Sequence, residues 1–309
     1  MIRIPFVNQN LIPGTNVTQL FNATLNPDLV GLSPLETLDK VVAYSGQIGL
    51  KIILNRNAGI AGDSSNEPLW YIPGDTYYTD ARFLEDWVML AQRYKGTAVI
   101  GADLMQEPHN VGSVQATWGT GNILTDWDLA ATRVGNAILA IIPDWLIIVE
   151  GTWENTWWGG NLQHVALNPI VLNIPNKVVY SAHEYSQDVY NQQYLQSASF
   201  PSNLRPRWNS FWGYLFAGNT APVFIGDFGT NFGYPRDSTW LTTLMNYLDG
   251  QLAADGQSSL QNGQLGFSWA FACLNPTCSV GGILLNDWKT VDVHKYSYLN
   301  QSLASLLPY

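Results

Sequence analysis

Cysteine is nearly absent from this 309-residue chain. Cys273 and Cys278 are the only two, so no disulfide framework can organise the fold. Their spacing would close one small loop in an oxidising compartment, and the paired and free states both fit it. Charge is scarce as well. Charged residues make up 12% of the chain and the formal net charge is -10, which argues against nucleic acid as a partner. His109, His164, His183 and His294 show no HExxH or other metal spacing, and no P-loop is present, so neither metal nor cofactor is expected. No run of about eighteen apolar residues is long enough for a membrane helix. The opening MIRIPF has no signal-peptide pattern. The sequons Asn16-Val17-Thr18, Asn22-Ala23-Thr24 and Asn300-Gln301-Ser302 hint at secretion, although such triplets arise often by chance.

What the chain does have is apolar and aromatic mass. Hydrophobic residues reach 46%, enough to bury a full core. Thirteen Trp and fifteen Tyr are an excess; some of these rings fill the core, and a surplus this large also suits a cleft that stacks flat, partly apolar ligands, of which sugar rings are the commonest.

Strand-like runs are Ile2-Ile4, Leu50-Leu54, Ala98-Leu104, Leu146-Glu150, Lys177-Ala182, Pro222-Gly226 and Gly266-Phe271. Helix-like segments alternate with them: Pro34-Gln47, Asp80-Tyr94, Asp126-Ile141, a short piece near Asn161-Leu167, Arg207-Ala217, Thr239-Ala254 and Lys295-Leu306. Asp80 and Thr125-Asp126 read as N-cap regions, with Gly96 and Gly218 closing helices. Strand followed by helix, repeated, means parallel strands joined by crossovers. With no linker or low-complexity stretch, one domain over 1–309 is expected. Seven strands are one short of a closed β/α barrel, and an open sheet of seven would leave raw edges. A doubly wound sheet usually carries a Gly-rich first turn, and none is visible.

Polar residues cluster where these strands finish. Arg3 lies in the first strand, Asn55 and Asn57 after the second, and Gln106 with Glu107 after the third. Pro108 forbids that third strand from continuing. Glu150 ends the fourth, His183 and Tyr185 follow the fifth, and Asp227 lies in IGDFG after the sixth. In a barrel all such positions face one mouth. Two carboxylates there are the equipment of glycoside hydrolysis, about 5–5.5 Å apart in the retaining mechanism. Each residue also has a plain structural reading. Glu107 reads equally as a capping acid, Asp227 as a turn residue, and His183 as a hydrogen-bonded core histidine. Glu150 and Asp103 read as buried partners for Arg3 or for backbone amides.

The stretches IRIPF, GQIGLKIIL, LAQRYKG, QEPH, WWGGNLQ, SAHEY, APVFIGDFGT and GGILLNDWKTVD span nearly the whole chain. Together they resemble the retaining cellulases of glycoside hydrolase family five, the endo-β-1,4-glucanases. That resemblance implies a (β/α)8 barrel of TIM type, a cellulose-like β-glucan as partner, and an extracellular enzyme. It implies Glu107 as acid/base in Gln106-Glu107-Pro108 and Asp227 in the nucleophile's place. Arg3, His183 and Tyr185 match residues that support the nucleophile and the sugar, and Asn57 and Gln106 occupy further sugar-binding positions. Trp118, Trp153, Trp157 and Trp158 are candidate stacking platforms that equally suit a core.

This chain departs from the family at the site. Asp227 stands where the family has Glu, withdrawing the attacking oxygens by roughly 1 Å, and a misplacement of that size can cost around a hundredfold in rate. Asn55-Arg56-Asn57-Ala58 replaces Asp-Arg-His-Arg, Gln106 replaces Asn, and Ala272 replaces the Trp that floors the catalytic subsite. The family's first strand and helix have no counterpart. Three expectations follow: a retaining hydrolase with an altered site, a glucan-binding protein without turnover, or a fragment whose open barrel aggregates. Glu150 and Glu184 are alternative nucleophiles on the first of these.

Overall fold

The chain alternates buried β-strands with amphipathic helices, and the crossovers between them set the topology. The structure, a computed structural model, describes residues 1–15, 21–253 and 256–303. It groups into two compact units, Met1–Glu154 with His164–Val179, and Asn155–Gln163 with Tyr180–Tyr309.

In the first unit, β1 (Ile2–Val7) leads through α1 (Pro34–Gln47) to β2 (Ile52–Ala58), and α2 (Asp80–Arg93) leads to β3 (Val99–Asp103). A short antiparallel hairpin, β4 (Asn110–Val111) and β5 (Val114–Gln115), precedes α3 (Trp127–Ile141) and β6 (Leu146–Glu150). The four long strands pair in parallel and in chain order, Ile2 beside Ile52, Asn55 beside Asp103, and Asp103 beside Ile148. Their runs are nearly continuous apolar sequence because parallel strands are covered on both faces. Ile52, Leu54, Ala102, Ile147 and Val149 are buried, and Phe83, Trp87, Leu90, Trp127, Val134 and Ile138 bury against the same core from the helices.

Local chemistry sets the helix starts. Ser33 Oγ accepts from the Glu36 amide while the Glu36 carboxylate accepts from the Ser33 amide, and Pro34 occupies the first helical position. This reciprocal cap satisfies amides that a helix end otherwise orphans. The expected cap at Asp80 shifts by one residue: Thr79 Oγ1 caps α2 through the Arg82 amide. Asp80 is drawn instead to Trp70 Nε1 at 2.5 Å and to Arg133. Asp126 caps α3 by backbone alone, because its carboxylate is taken by Thr117, Thr120 and the Gly121 amide.

The second unit holds most of β7 (Val178–Tyr185), then a helical run of α4 (Leu204–Trp208), a π-helical turn (Asn209–Gly213) and α5 (Tyr214–Ala217). Then come β8 (Val223–Gly229), α6 (Pro235–Leu248), β9 (Ser268–Phe271) and α7 (Val293–Leu299). β7, β8 and β9 are parallel and again in chain order. The π turn lays Trp208 and Trp212 against Tyr247, with ring centroids 5.4 Å apart in both pairs, and Phe267 closes the cluster. A disulfide joins Cys273 and Cys278, resolving the choice left open by their spacing.

Two helix starts differ from expectation for one reason. α4 begins at Leu204 and carries Pro206 in its first turn, and α6 begins at Pro235 itself. Proline is tolerated there because the first-turn amides have no intrahelical partner to lose. The segment near Asn161–Leu167 is a 3-10 turn over Gln163–Ala166. Ala254 and Leu306, the expected ends of two helices, and the sequon at Asn16 lie outside the described residues.

Candidate active site

Parallel strands deliver their carboxyl ends to one edge of a sheet, and in the first unit that edge is polar and buried. The Arg3 guanidinium donates from Nε to Asp103 Oδ2 at 2.7 Å, from Nη1 to Gln106 Oε1 at 3.2 Å, and from Nη2 to Glu150 Oε1 at 3.1 Å. The Asp103 and Glu150 side chains are fully buried. One cation thus ties the ends of β3 and β6 to β1, and the two carboxylates are the buried Arg3 partners that one sequence reading allowed.

Glu107 lies one step beyond this cluster and is half-buried. Its amide donates to Glu150 Oε2 at 2.6 Å. Its φ is 52°, a left-handed conformation that costs a non-glycine residue on the order of 1–2 kcal/mol. Its carbonyl accepts from His109 Nδ1 at 2.6 Å, and His109 Nε2 lies 3.2 Å from the Ser65 carbonyl oxygen. The Glu107 peptide is therefore held on both sides. As an alternative nucleophile Glu150 is corrected, since its two oxygens are engaged by Arg3 and by the Glu107 amide.

In the second unit, His183 on β7 stands beside Asp227 on β8. A bulge brings this about: Ala182 pairs with Ile225 and His183 with Asp227, so Gly226 is skipped. Glycine suits that point, because a Cβ there would come within 2.6 Å of Ser181 Oγ, which would have to turn away. His183 and Tyr185 share a face by strand alternation and are buried, while Asp227 is half-buried. Tyr185 packs on Trp157 with centroids 4.5 Å apart, and Trp157 also meets Tyr190 at 6.0 Å.

Glu184 points to the opposite face of β7. There it is fully buried, accepting from Tyr194 Oη at 3.3 Å and Trp212 Nε1 at 3.4 Å. Burial pushes its carboxyl up to about 7, against the opposing pull of the Arg207 charge and these hydrogen bonds. As an alternative nucleophile it too is corrected, for alternation turns it away from His183 and Tyr185. Trp118 is corrected as a platform: it is 4% exposed and its indole donates to the Asn168 carbonyl at 2.8 Å. Trp153, Trp157 and Trp158 are half-buried, as is Asn57 on β2. Ala272 follows β9 and donates its amide to the Phe228 carbonyl at 2.8 Å.

One network escaped the sequence reading. Arg56, 1% exposed, donates to Asn8 Oδ1 at 2.8 Å and to Glu67 Oε2 at 3.1 Å. Glu67 also accepts the amides of Gly59 and Ile60, and Asn8 donates to Asp86. Burial lowers the Arg56 guanidinium to about 10, against the pull of Glu67. The loop after β2 is anchored through these groups. A basic residue among the buried positions of β2 was the signal available.

Among the described residues no group of His, Cys, Asp or Glu is placed to hold a metal, and no helix is long and apolar enough to cross a membrane.

Parallel strands in chain order with helical crossovers and polar carboxyl ends define an α/β protein of TIM-barrel type. The sequence pattern of the cellulase family, Cellulase (glycosyl hydrolase family 5), matches residues 1–274, and the chain belongs to that family. It is 41% identical to an endoglucanase of Paenibacillus polymyxa over 99% of this chain and 74% of that protein. It is 37% identical to the major extracellular endoglucanase of Xanthomonas campestris pv. campestris over 96% of this chain and 59% of that one. A solved hyperthermophilic endocellulase from Pyrococcus horikoshii superposes with a TM-score of 0.84 at 36% identity, covering 97% of this chain and 81% of that structure. The same endocellulase has been solved in complex with cellotetraose.

Proposed function

We propose that the chain hydrolyses β-1,4-glucan by a retaining double displacement, with Glu107 as acid/base and Asp227 as nucleophile. Asp227 attacks the anomeric carbon as Glu107 passes its proton to the departing glycosidic oxygen, leaving a glycosyl ester on Asp227. Water, deprotonated by Glu107, then displaces the ester. Arg3, Gln106, His183 and Tyr185 support the two acids and the sugar, Asn57 contacts the sugar, and Trp153 and Trp158 stack on it. The observation that carries the reading is local: in a cellulase-family chain, Glu107 is half-buried just past the end of β3 while Asp103 and Glu150 beside it are fully buried.

Cello-oligosaccharide as ligand draws support from the cellotetraose complex of the endocellulase relative. Secretion draws support from the relative described as extracellular and from the Cys273–Cys278 disulfide, which suits an oxidising compartment.

The test is release of reducing ends from carboxymethyl cellulose. Glu107→Gln removes the transferable proton and lowers the rate by about 10²–10⁴-fold, the usual share of general acid–base catalysis. Unchanged release in that variant overturns the assignment. A second reading, glucan binding without turnover, is favoured by the shorter acid at Asp227 and by Ala272. It predicts cellotetraose binding by calorimetry with no reducing ends after long incubation.

A further inference from the structure

The Glu107 backbone is strained in φ and gripped at both of its polar atoms. One grip comes from Glu150, itself locked by Arg3; the other comes from His109. His109 is 1% exposed and has no place among the groups assigned to sugar or chemistry above. Its own backbone is fixed twice, its amide donating to the Pro68 carbonyl at 3.3 Å and its carbonyl accepting from the Ala116 amide at 2.8 Å. A carbonyl oxygen only accepts, so each of the two ring contacts, Nδ1 to Glu107 at 2.6 Å and Nε2 to Ser65 at 3.2 Å, is a hydrogen bond only where its nitrogen carries a proton, and the shorter one places a proton on Nδ1. The other ring nitrogen faces Ser65, in the loop that Glu67 anchors.

We propose that His109 is a positioning residue for the acid/base: by holding the Glu107 carbonyl it fixes the left-handed turn that aims the Glu107 carboxyl at the leaving oxygen. It touches no substrate. Released from this contact, the Glu107 peptide relaxes toward negative φ, and the carboxyl swings away while the strand and helix around it stay in place. The inference rests on reading Glu107 as the acid.

Two near-isosteric replacements separate the two ring nitrogens. In His109→Asn the new amide nitrogen would lie where Nδ1 lies and can still donate to Glu107, whereas in His109→Gln the longer amide reaches toward Ser65 instead. The readout is kcat/KM on two substrates: carboxymethyl cellulose, whose alkoxide leaving group needs the proton, and 2,4-dinitrophenyl β-cellobioside, whose leaving group does not. His109→Gln is expected to lose about ten- to a hundredfold on the polymer, the scale of a misplaced catalytic group, and little on the dinitrophenyl substrate. His109→Asn is expected to recover most of that loss; KM on the polymer is expected to move little in either, whereas on the dinitrophenyl substrate kcat and KM fall together in His109→Gln, because activation of water in the second step also needs Glu107. Equal losses on both substrates, or equal losses in both variants, would mean a purely structural histidine and overturn the proposal, as would no loss in His109→Gln. Glu107→Gln runs beside them. If it shows the leaving-group dependence and His109→Gln does not, the positioning role fails while the acid assignment stands. If Glu107→Gln shows none, the acid assignment itself fails.

Discussion

At the scale of single residues, burial and hydrogen bonding separate the acids of this chain into distinct jobs. Asp103 and Glu150 face the Arg3 guanidinium and are fixed by it. Glu184 faces aromatic groups with a cation only at a distance, and burial holds its proton on to about pH 7. This has a consequence for stability. An unfolded chain releases that proton near the ordinary value of 4.5. Below this pH both states are protonated and nothing is lost. As pH rises from there to about 7 the unfolded state ionises first, so stability falls, and above 7 the loss is complete. Glu184→Gln removes the titration and keeps the partners, because its carbonyl accepts from Trp212 while Tyr194 turns to accept from the amide. Urea unfolding at pH 8 is expected to find the variant more stable by about 1–3 kcal/mol, given about 1.4 kcal/mol per pKa unit. At pH 4 the two proteins should nearly coincide, and a gap independent of pH would show that Glu184 is charged in the folded state.

At the scale of elements, the loop after β2 depends on a single carboxylate. Glu67 accepts the Gly59 and Ile60 amides and pairs with buried Arg56. Glu67→Ala leaves that guanidinium with Asn8 alone, and removing one member of a buried pair costs about 3–5 kcal/mol. Glu67→Gln, which keeps one acceptor, is expected to lose less in the same denaturation experiment. A loss under about 1 kcal/mol in Glu67→Ala would mean that Arg56 finds another acceptor or water, since exposed pairs contribute at that level. The role of Glu67 was not readable in the sequence, because it sits in an irregular loop and its partners are Arg56 on β2 and the amides of Gly59 and Ile60 just after that strand. The seven long strands and α1 were readable, since apolar runs and helical periodicity are local signals, while the two-residue strands β4 and β5 are too short to leave one. The starts of α4 and α6 were not, because Pro206 and Pro235 look like boundaries until the first turn is seen to accept them. Within the candidate site, the position of Glu107 just past β3 was legible from its place between an apolar run and Pro108, and its role there is the one proposed above. The clamp on its backbone was not legible, because Glu150 lies far from it in sequence and His109, though only two residues away, gives no sign in the sequence that its ring turns back to the Glu107 carbonyl. The bulge that sets Asp227 beside His183 was equally hidden, as a skipped Gly226 leaves no mark on hydrophobic alternation.

At the scale of the whole molecule, what stands out is charge. A net charge of -10 matters little to cellulose, which is neutral, and matters a good deal to carboxymethyl cellulose, which is a polyanion. Protein and polymer repel each other over the Debye length, about 30 Å at 0.01 M salt and about 8 Å at 0.15 M. Raising salt across that range should therefore lower KM for carboxymethyl cellulose, because the long-range field that resists encounter is screened. A neutral aryl cellobioside feels no such field, so its KM should stay flat over the same range. Initial rates on the two substrates, measured in parallel, check this. A KM for the polymer that rises with salt would mean that cations at the binding surface outweigh the acidic whole. In that case Arg3, held between two carboxylates, could not be the cation responsible, and the search would turn to Arg and Lys on the surface loops.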